Sequence, residues 1–234
     1  MDADGLALVH GLRHTRATLS RWRGERWAIV GHWLALSGAL AVGLLVAVYV
    51  VARAAEPDPT PLAIAGLNQP AGPRDVLHLL ARNSLVLALH ALACVAGFLA
   101  GSALPAGAPA RSPWSRLVHE RAGSAAMLFV AAATGFSLFT QTLALGMGAS
   151  TLAAQLAIPP GTLLLALLPH AAPELVALFL PLAAWLLAGR RRAWHELLAA
   201  TGLTVAIAAP ALVLSALIEV YVTPLLLLTL RGQG

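Results

Sequence analysis

Residues 27–51 read WAIVGHWLALSGALAVGLLVAVYVV, and this stretch decides the fold class. It contains no Asp, Glu, Lys or Arg. The apolar core of a bilayer is about 30 Å thick, and about 20 helical residues cross it. No water reaches the backbone at that depth, so its amides and carbonyls must bond within the segment, and a helix does this. A first span is therefore placed from about Trp27 to Val51, with Gly38 and Gly43 as expected points of close helix approach.

Further blocks of the same kind follow at about Leu85–Leu104, Ser124–Gly148, Thr162–Ala188 and Leu197–Ile218. The chain has 234 residues, of which 59% are hydrophobic and 11% charged. A soluble domain carries about 25% charged residues, so a water-facing globule is excluded. The expected fold is all-α: a polytopic transmembrane helical bundle of about five spans. One transmembrane domain covers 27–224, preceded by a basic amphipathic segment, 1–26, and followed by a short tail, 225–234. The segment 53–82 is rich in proline and acid and is read as an outer loop, with DVLHLLARN (75–83) as a short helix leading into the second span. The connection 149–161 carries no charge and is read as a short outer loop. Pro169, Pro173 and Pro181 should break the fourth span, because proline removes a backbone donor. The carbonyls freed in this way need partners inside the protein, so that span should be buried among others. The apolar run LLLLTL (225–230) is too short to cross and is read as a cap or partial re-entry.

Charge orients the bundle. All 15 basic residues are arginine. Eleven of them fall in segments read as cytoplasmic, at 13–26, 111–121 and 190–192, and the other four are Arg53, Arg74, Arg82 and Arg231. By the positive-inside rule the N-terminus is cytoplasmic. The expected location is the bacterial cytoplasmic membrane, with several passes. Residues 5–26, Trp22 among them, have arginines between apolar residues at helical spacing, as in a helix lying on an anionic membrane surface or a partly helical basic flank that orients the first span. The first apolar block is too long for a cleavable signal and lacks a convincing cleavage site. The net charge of +5 lies beside spans, so nucleic acid is not an expected partner. Cys94, the only cysteine, reads as a small buried hydrophobe.

Ionisable groups inside a span cost several kcal/mol unless paired or hydrated, so they mark function by default. His170, Glu174 and Glu219 stand out, and Arg82 and Asn83 enter the second span from the same side. Helical rise places all five near one level, in the outer half of the bilayer. His170 and Glu174 are four apart and share a helix face, so a hydrogen bond between them is expected, with Arg82 pairing to Glu174 or Glu219. Such pairs would pin the bundle. The alternatives are a proton or ion site, or a polar notch for a partner's helix. His90, Gln141 and Gln155 read as helix-packing hydrogen bonds.

The chain has no HExxH, no G-x-S-x-G and no GxxxxGK[ST]. No catalytic residue, cofactor or metal is expected, and His170 with Glu174 is too few ligands for zinc. Three motifs carry a resemblance. Residues 169–175, PHAAPEL, are similar to P-H-G-x-x-E-L of the stage II sporulation protein M family. Residues 218–224, IEVYVTP, resemble its I-E-x-[FY]-x-T-P, and Arg82-Asn83-Ser84 resembles its N-N motif. Order and spacing agree from about Asn83 to Pro224, while Ala171 replaces the usual glycine and Ser84 the second asparagine. The resemblance implies a multi-span protein without known catalysis. In endospore formers the family member is a scaffold for peptidoglycan-degrading partners, and many relatives occur in bacteria that never sporulate. The expected function is a non-enzymatic membrane scaffold of an envelope-associated complex. Its expected partners are the lipid bilayer and other membrane or envelope proteins, such as a peptidoglycan-degrading enzyme or an ATPase, with self-association as a homo-oligomer allowed. The alternative is the permease subunit of a transporter with a buried His/Glu site.

Overall fold

The computed structural model describes residues 15–102 and 113–231, of which 99–102, 113–127, 129, 130 and 231 are described by backbone alone. The first part of the expected surface helix, 5–14, and the loop residues 103–112 lie outside the described residues. Among the described residues the main helices are α1 (Arg26–Ala54), α2 (Pro73–Ser102), α3 (Pro113–Leu156), α4 (Pro160–Arg191), α5 (Leu197–Leu217) and α6 (Thr223–Arg231), with one isolated bridge between Ala65 and Gln69. Four helical runs among the described residues are long and apolar enough to cross a membrane: α1, Pro73–Phe98, α4, and the continuous stretch Trp194–Leu230. The remaining expected span lies within α3.

Helix α4 is the centre of the bundle, packed against α1, α2 and α5, while α3 leans chiefly on α1. Residues 177–184 of α4 are buried without a break. The expected proline break does not occur: α4 runs through Pro169, Pro173 and Pro181 as one 32-residue helix. Neighbouring side chains supply hydrogen bonds at its densest part. His90 Nδ1 donates to Leu178 O at 2.8 Å, and Cys94 Sγ donates to Pro181 O at 3.1 Å. These two α2 residues are four apart and so present to α4 from one face. Cys94 is thus a packing donor as well as a buried hydrophobe.

The tail differs from the sequence reading in the same way. Thr223 N–H bonds back five residues to Ile218 O, forming a π-turn over Ile218–Val222. That shift of hydrogen-bond register lets the helix pass Pro224, whose nitrogen has no hydrogen to give. The residues of LLLLTL therefore extend the last long helix instead of forming a separate cap. Helix α2 likewise begins at Pro73, with Gly72 N–H donating to Asp75 Oδ2 at 2.9 Å, so the leading segment and the second span are one helix. Helix α3 extends to Leu156, and the connection to α4 shrinks to 157–159.

Helix contacts also fall elsewhere than expected. A side chain at Gly38 or Gly43 would meet nothing within 4 Å. The tight approach is at Gly146 of α3, where a Cβ would lie 2.5 Å from Val51 Cβ of α1.

The two ends of the bundle are built differently. At one end α4 closes on Arg192 in the left-handed conformation, whose N–H reaches Ala188 O and Gly189 O, with Arg190 and Arg191 in the last turn. Trp22 is buried there, edge-on to Trp33 with ring centroids 5.6 Å apart, and Arg21 lies 3.8 Å from Glu196. The described part of the N-terminal segment is therefore docked on the bundle. At the opposite end, the proline-rich loop 55–72 is laid along the end of α3. Ser150 donates to Ala55 O at 2.8 Å, and Asp58 N–H donates to Thr151 Oγ1 at 3.0 Å. Gln155 both accepts from Leu62 N–H at 3.1 Å and donates to Thr60 O at 2.8 Å. Within the loop, Thr60 N–H donates to Asp58 Oδ1 at 2.8 Å, which holds the Asp58 carboxyl below its ordinary range.

Candidate functional site

The site lies toward the loop end, where α2, α4 and the π-turn converge. Asn83 follows Arg82 in α2 and is 3% exposed. Glu174 projects from α4 within electrostatic reach of Arg82 and Glu219, with Asn83 beside it. Glu219 sits in the π-turn and also faces Arg82. The structure thus brings together four of the five residues expected to share one level. Hydrogen bonding is loose there. Glu174 Oε2 and Asn83 Nδ2 are buried neighbours, and neither makes a hydrogen bond of 3.5 Å or less. Among the described residues, no ion pair of 4.0 Å or less joins Arg82 to either glutamate.

His170 departs from the expected pairing. Its Nδ1 shares a 2.8 Å hydrogen bond with the Thr223 hydroxyl, not with Glu174. Both partners are buried, so this bond fastens α4 to the start of α6. Thr223 was legible only as part of the IEVYVTP motif; nothing in its own type marked it as the partner. A Thr223→Val variant keeps shape and removes the hydroxyl. It is expected to cost about 1 kcal/mol, read as a lowered thermal midpoint of the purified protein.

Arg82, His170, Glu174, Glu219 and Thr223 all border one cavity of about 370 Å³. Its remaining walls are mainly apolar, with Leu44 and Val48 from α1, Leu145 from α3, and Leu164 and Leu167 from α4. Two carboxylates and one guanidinium therefore stand at the polar end of an otherwise hydrocarbon-lined space. Gly66 closes the loop over this region. It has φ +79°, and a Cβ there would lie 2.7 Å from Pro224 Cγ and 3.1 Å from Val220 O. Only glycine combines that backbone with that approach.

The weaker polar residues divide. His90 and Gln155 make contacts between elements, to α4 and to the loop. Gln141 instead donates to Ser137 one turn back in its own helix, at 3.1 Å. The hydroxyls of Ser37 and Ser215 are buried without partners, and nothing in the structure explains them. Among the described residues, no three His, Cys, Asp or Glu side chains are placed to hold a metal ion. No protein-family model matches the chain, and neither a curated protein nor a solved structure matches it.

Proposed function

We propose that this chain is a non-enzymatic scaffold in the bacterial cytoplasmic membrane, similar in role to stage II sporulation protein M. In this reading it has five spans, a cytoplasmic N-terminus, and its proline-rich loop on the outer side, where it holds an envelope enzyme or a second membrane protein. The observation that carries the proposal is the anchoring of that loop. Four hydrogen bonds from Ser150, Thr151 and Gln155 and the seat of Gly66 on Pro224 fix an exposed segment. Its sequence, EPDPTP at 56–61, restricts the backbone further. An ordered polar platform gives a partner a surface that loses little entropy on binding. The buried cluster beneath it joins α2, α4 and the π-turn and keeps the platform's footing in place.

The test is purification from native membranes in mild detergent, with mass spectrometry of what accompanies the chain. A stoichiometric envelope protein is expected. Its recovery should fall several-fold in a Thr151→Val, Gln155→Leu variant that still elutes as folded protein. Glu174→Ala or Glu219→Ala should disrupt folding or assembly. If those variants stay folded and keep every partner, or if the wild-type chain purifies alone, the scaffold reading fails. One observation favours a second reading, the permease of an ATPase-driven transporter: the cavity reaches both carboxylates. A co-purifying ATPase would select it.

A further inference from the structure

We infer that the cavity between α1, α3 and α4 is a binding site for an amphiphilic primary amine. The ammonium group sits at Glu174 and Glu219, and the apolar body lies along the leucines. This site shares Glu174 and Glu219 with the cluster beneath the loop 55–72, and its test reads ligand binding where the scaffold test reads partner recovery.

Charge is the first reason. Glu174, Glu219 and Arg82 border the cavity with a formal balance of one negative charge. Arg82 is the single Arg or Lys among the described residues that line it. An ionised carboxylate among hydrocarbon groups is costly, so it either takes up a proton or gains a counter-charge, which a ligand carrying one positive charge supplies.

Hydrogen bonding is the second. Glu174 Oε2 is a buried acceptor whose neighbouring donor is the Asn83 amide, and no hydrogen bond of 3.5 Å or less reaches it. An ammonium group brings three donors and no acceptor, which suits two facing carboxylates and the Thr223 hydroxyl. An anion would meet the two glutamates directly and is disfavoured.

Volume and lining are the third. A bare cation would fill a small part of about 370 Å³ and face Leu145, Leu164 and Leu167. Small-molecule sites of about 300–1,000 Å³ are mostly apolar with a few placed polar groups, and this cavity has that composition. The apolar body of the ligand then contributes through burial, and the ammonium sets its orientation.

The chemistry has two sources, the headgroup of an ethanolamine lipid or a free alkylamine. The test uses the purified full-length protein in nanodiscs of phosphatidylcholine alone. The probes are octylammonium, octanol (the same body without charge) and ethylammonium (the charge without the body). Octylammonium is expected to raise the thermal midpoint saturably, with an apparent Kd about tenfold or more tighter than either control. Glu174→Gln should weaken that binding by about tenfold. Leu145→Trp, which fills the cavity and leaves every charge, should weaken it as well, so the idea stays testable if Glu174→Gln fails to fold. Octanol binding as tightly as octylammonium would overturn the inference, as would octylammonium binding unchanged in the Leu145→Trp protein. Nanodiscs containing phosphatidylethanolamine then separate the sources. Competition with octylammonium identifies the lipid headgroup, and unchanged affinity identifies a free amine; both outcomes uphold the site.

Discussion

Gly146→Leu is expected to leave little folded protein, while Gly38→Leu and Gly43→Leu are expected to behave as wild type. At Gly146 the first side-chain atom would already lie 2.5 Å from Val51 Cβ and Cγ1 and 3.1 Å from Val48 O. A Cβ and a carbonyl cannot swing aside as the end of a long side chain can, so α1 and α3 must separate. Overpacking of this kind costs about 1–3 kcal/mol for modest additions, and a whole leucine side chain between two helices lies at or above the upper end. The α1–α3 interface is also the main one by which α3 is held to the bundle. At Gly38 and Gly43, by contrast, nothing stands within 4 Å, and an added apolar side chain meets lipid or open space. Size-exclusion profiles and thermal midpoints of the three variants decide the matter. A Gly146→Leu protein with a wild-type midpoint would show that α1 and α3 do not meet there.

Arg82→Gln has the second large effect. The guanidinium is the cation that both Glu174 and Glu219 face, and without it two carboxylates confront each other in a largely apolar setting. Removing one member of a fully buried pair costs about 3–5 kcal/mol. Arg82 is exposed at the bundle surface and makes no ion pair of 4.0 Å or less with either glutamate, so about 1 kcal/mol is the discounted expectation. The sign of a second substitution is the sharper check. Glu219→Gln in the Arg82→Gln background removes the like-charge repulsion and should restore most of the lost thermal stability. Additive losses in that double-mutant cycle would mean that the two side chains are not coupled.

Much of this architecture was legible from composition alone. The long apolar runs locate the helices, since lipid selects for hydrocarbon content whatever the order of residues. Helical rise predicts one level for Arg82, Asn83, His170, Glu174 and Glu219, and the structure brings Arg82, Asn83, Glu174 and Glu219 together while His170 turns to Thr223. Charges within apolar runs are rare enough that each one is conspicuous, which is why this cluster could be named before its geometry was known.

Other features could not be read in that way. The fourth helix runs unbroken through three prolines, and His90 and Cys94 of α2 bond to its Leu178 and Pro181 carbonyls, contacts 88 and 87 residues apart in sequence. His170 turns to Thr223 instead of Glu174 because a π-turn at Ile218–Val222 brings that hydroxyl within 2.8 Å. Trp22, read as part of a membrane-surface stripe, is instead edge-on to Trp33. What the sequence determined by itself is which segments are apolar helices and how far along each run its polar residues stand, because both follow from composition and a fixed rise per residue. How each helix is rotated, and so whether Gly146 or Gly38 meets a neighbour, was decided only in the tertiary structure. These helices are apolar nearly all round, so no polar stripe marks the inward face, and rotation is settled by the fit of side chains from distant parts of the chain.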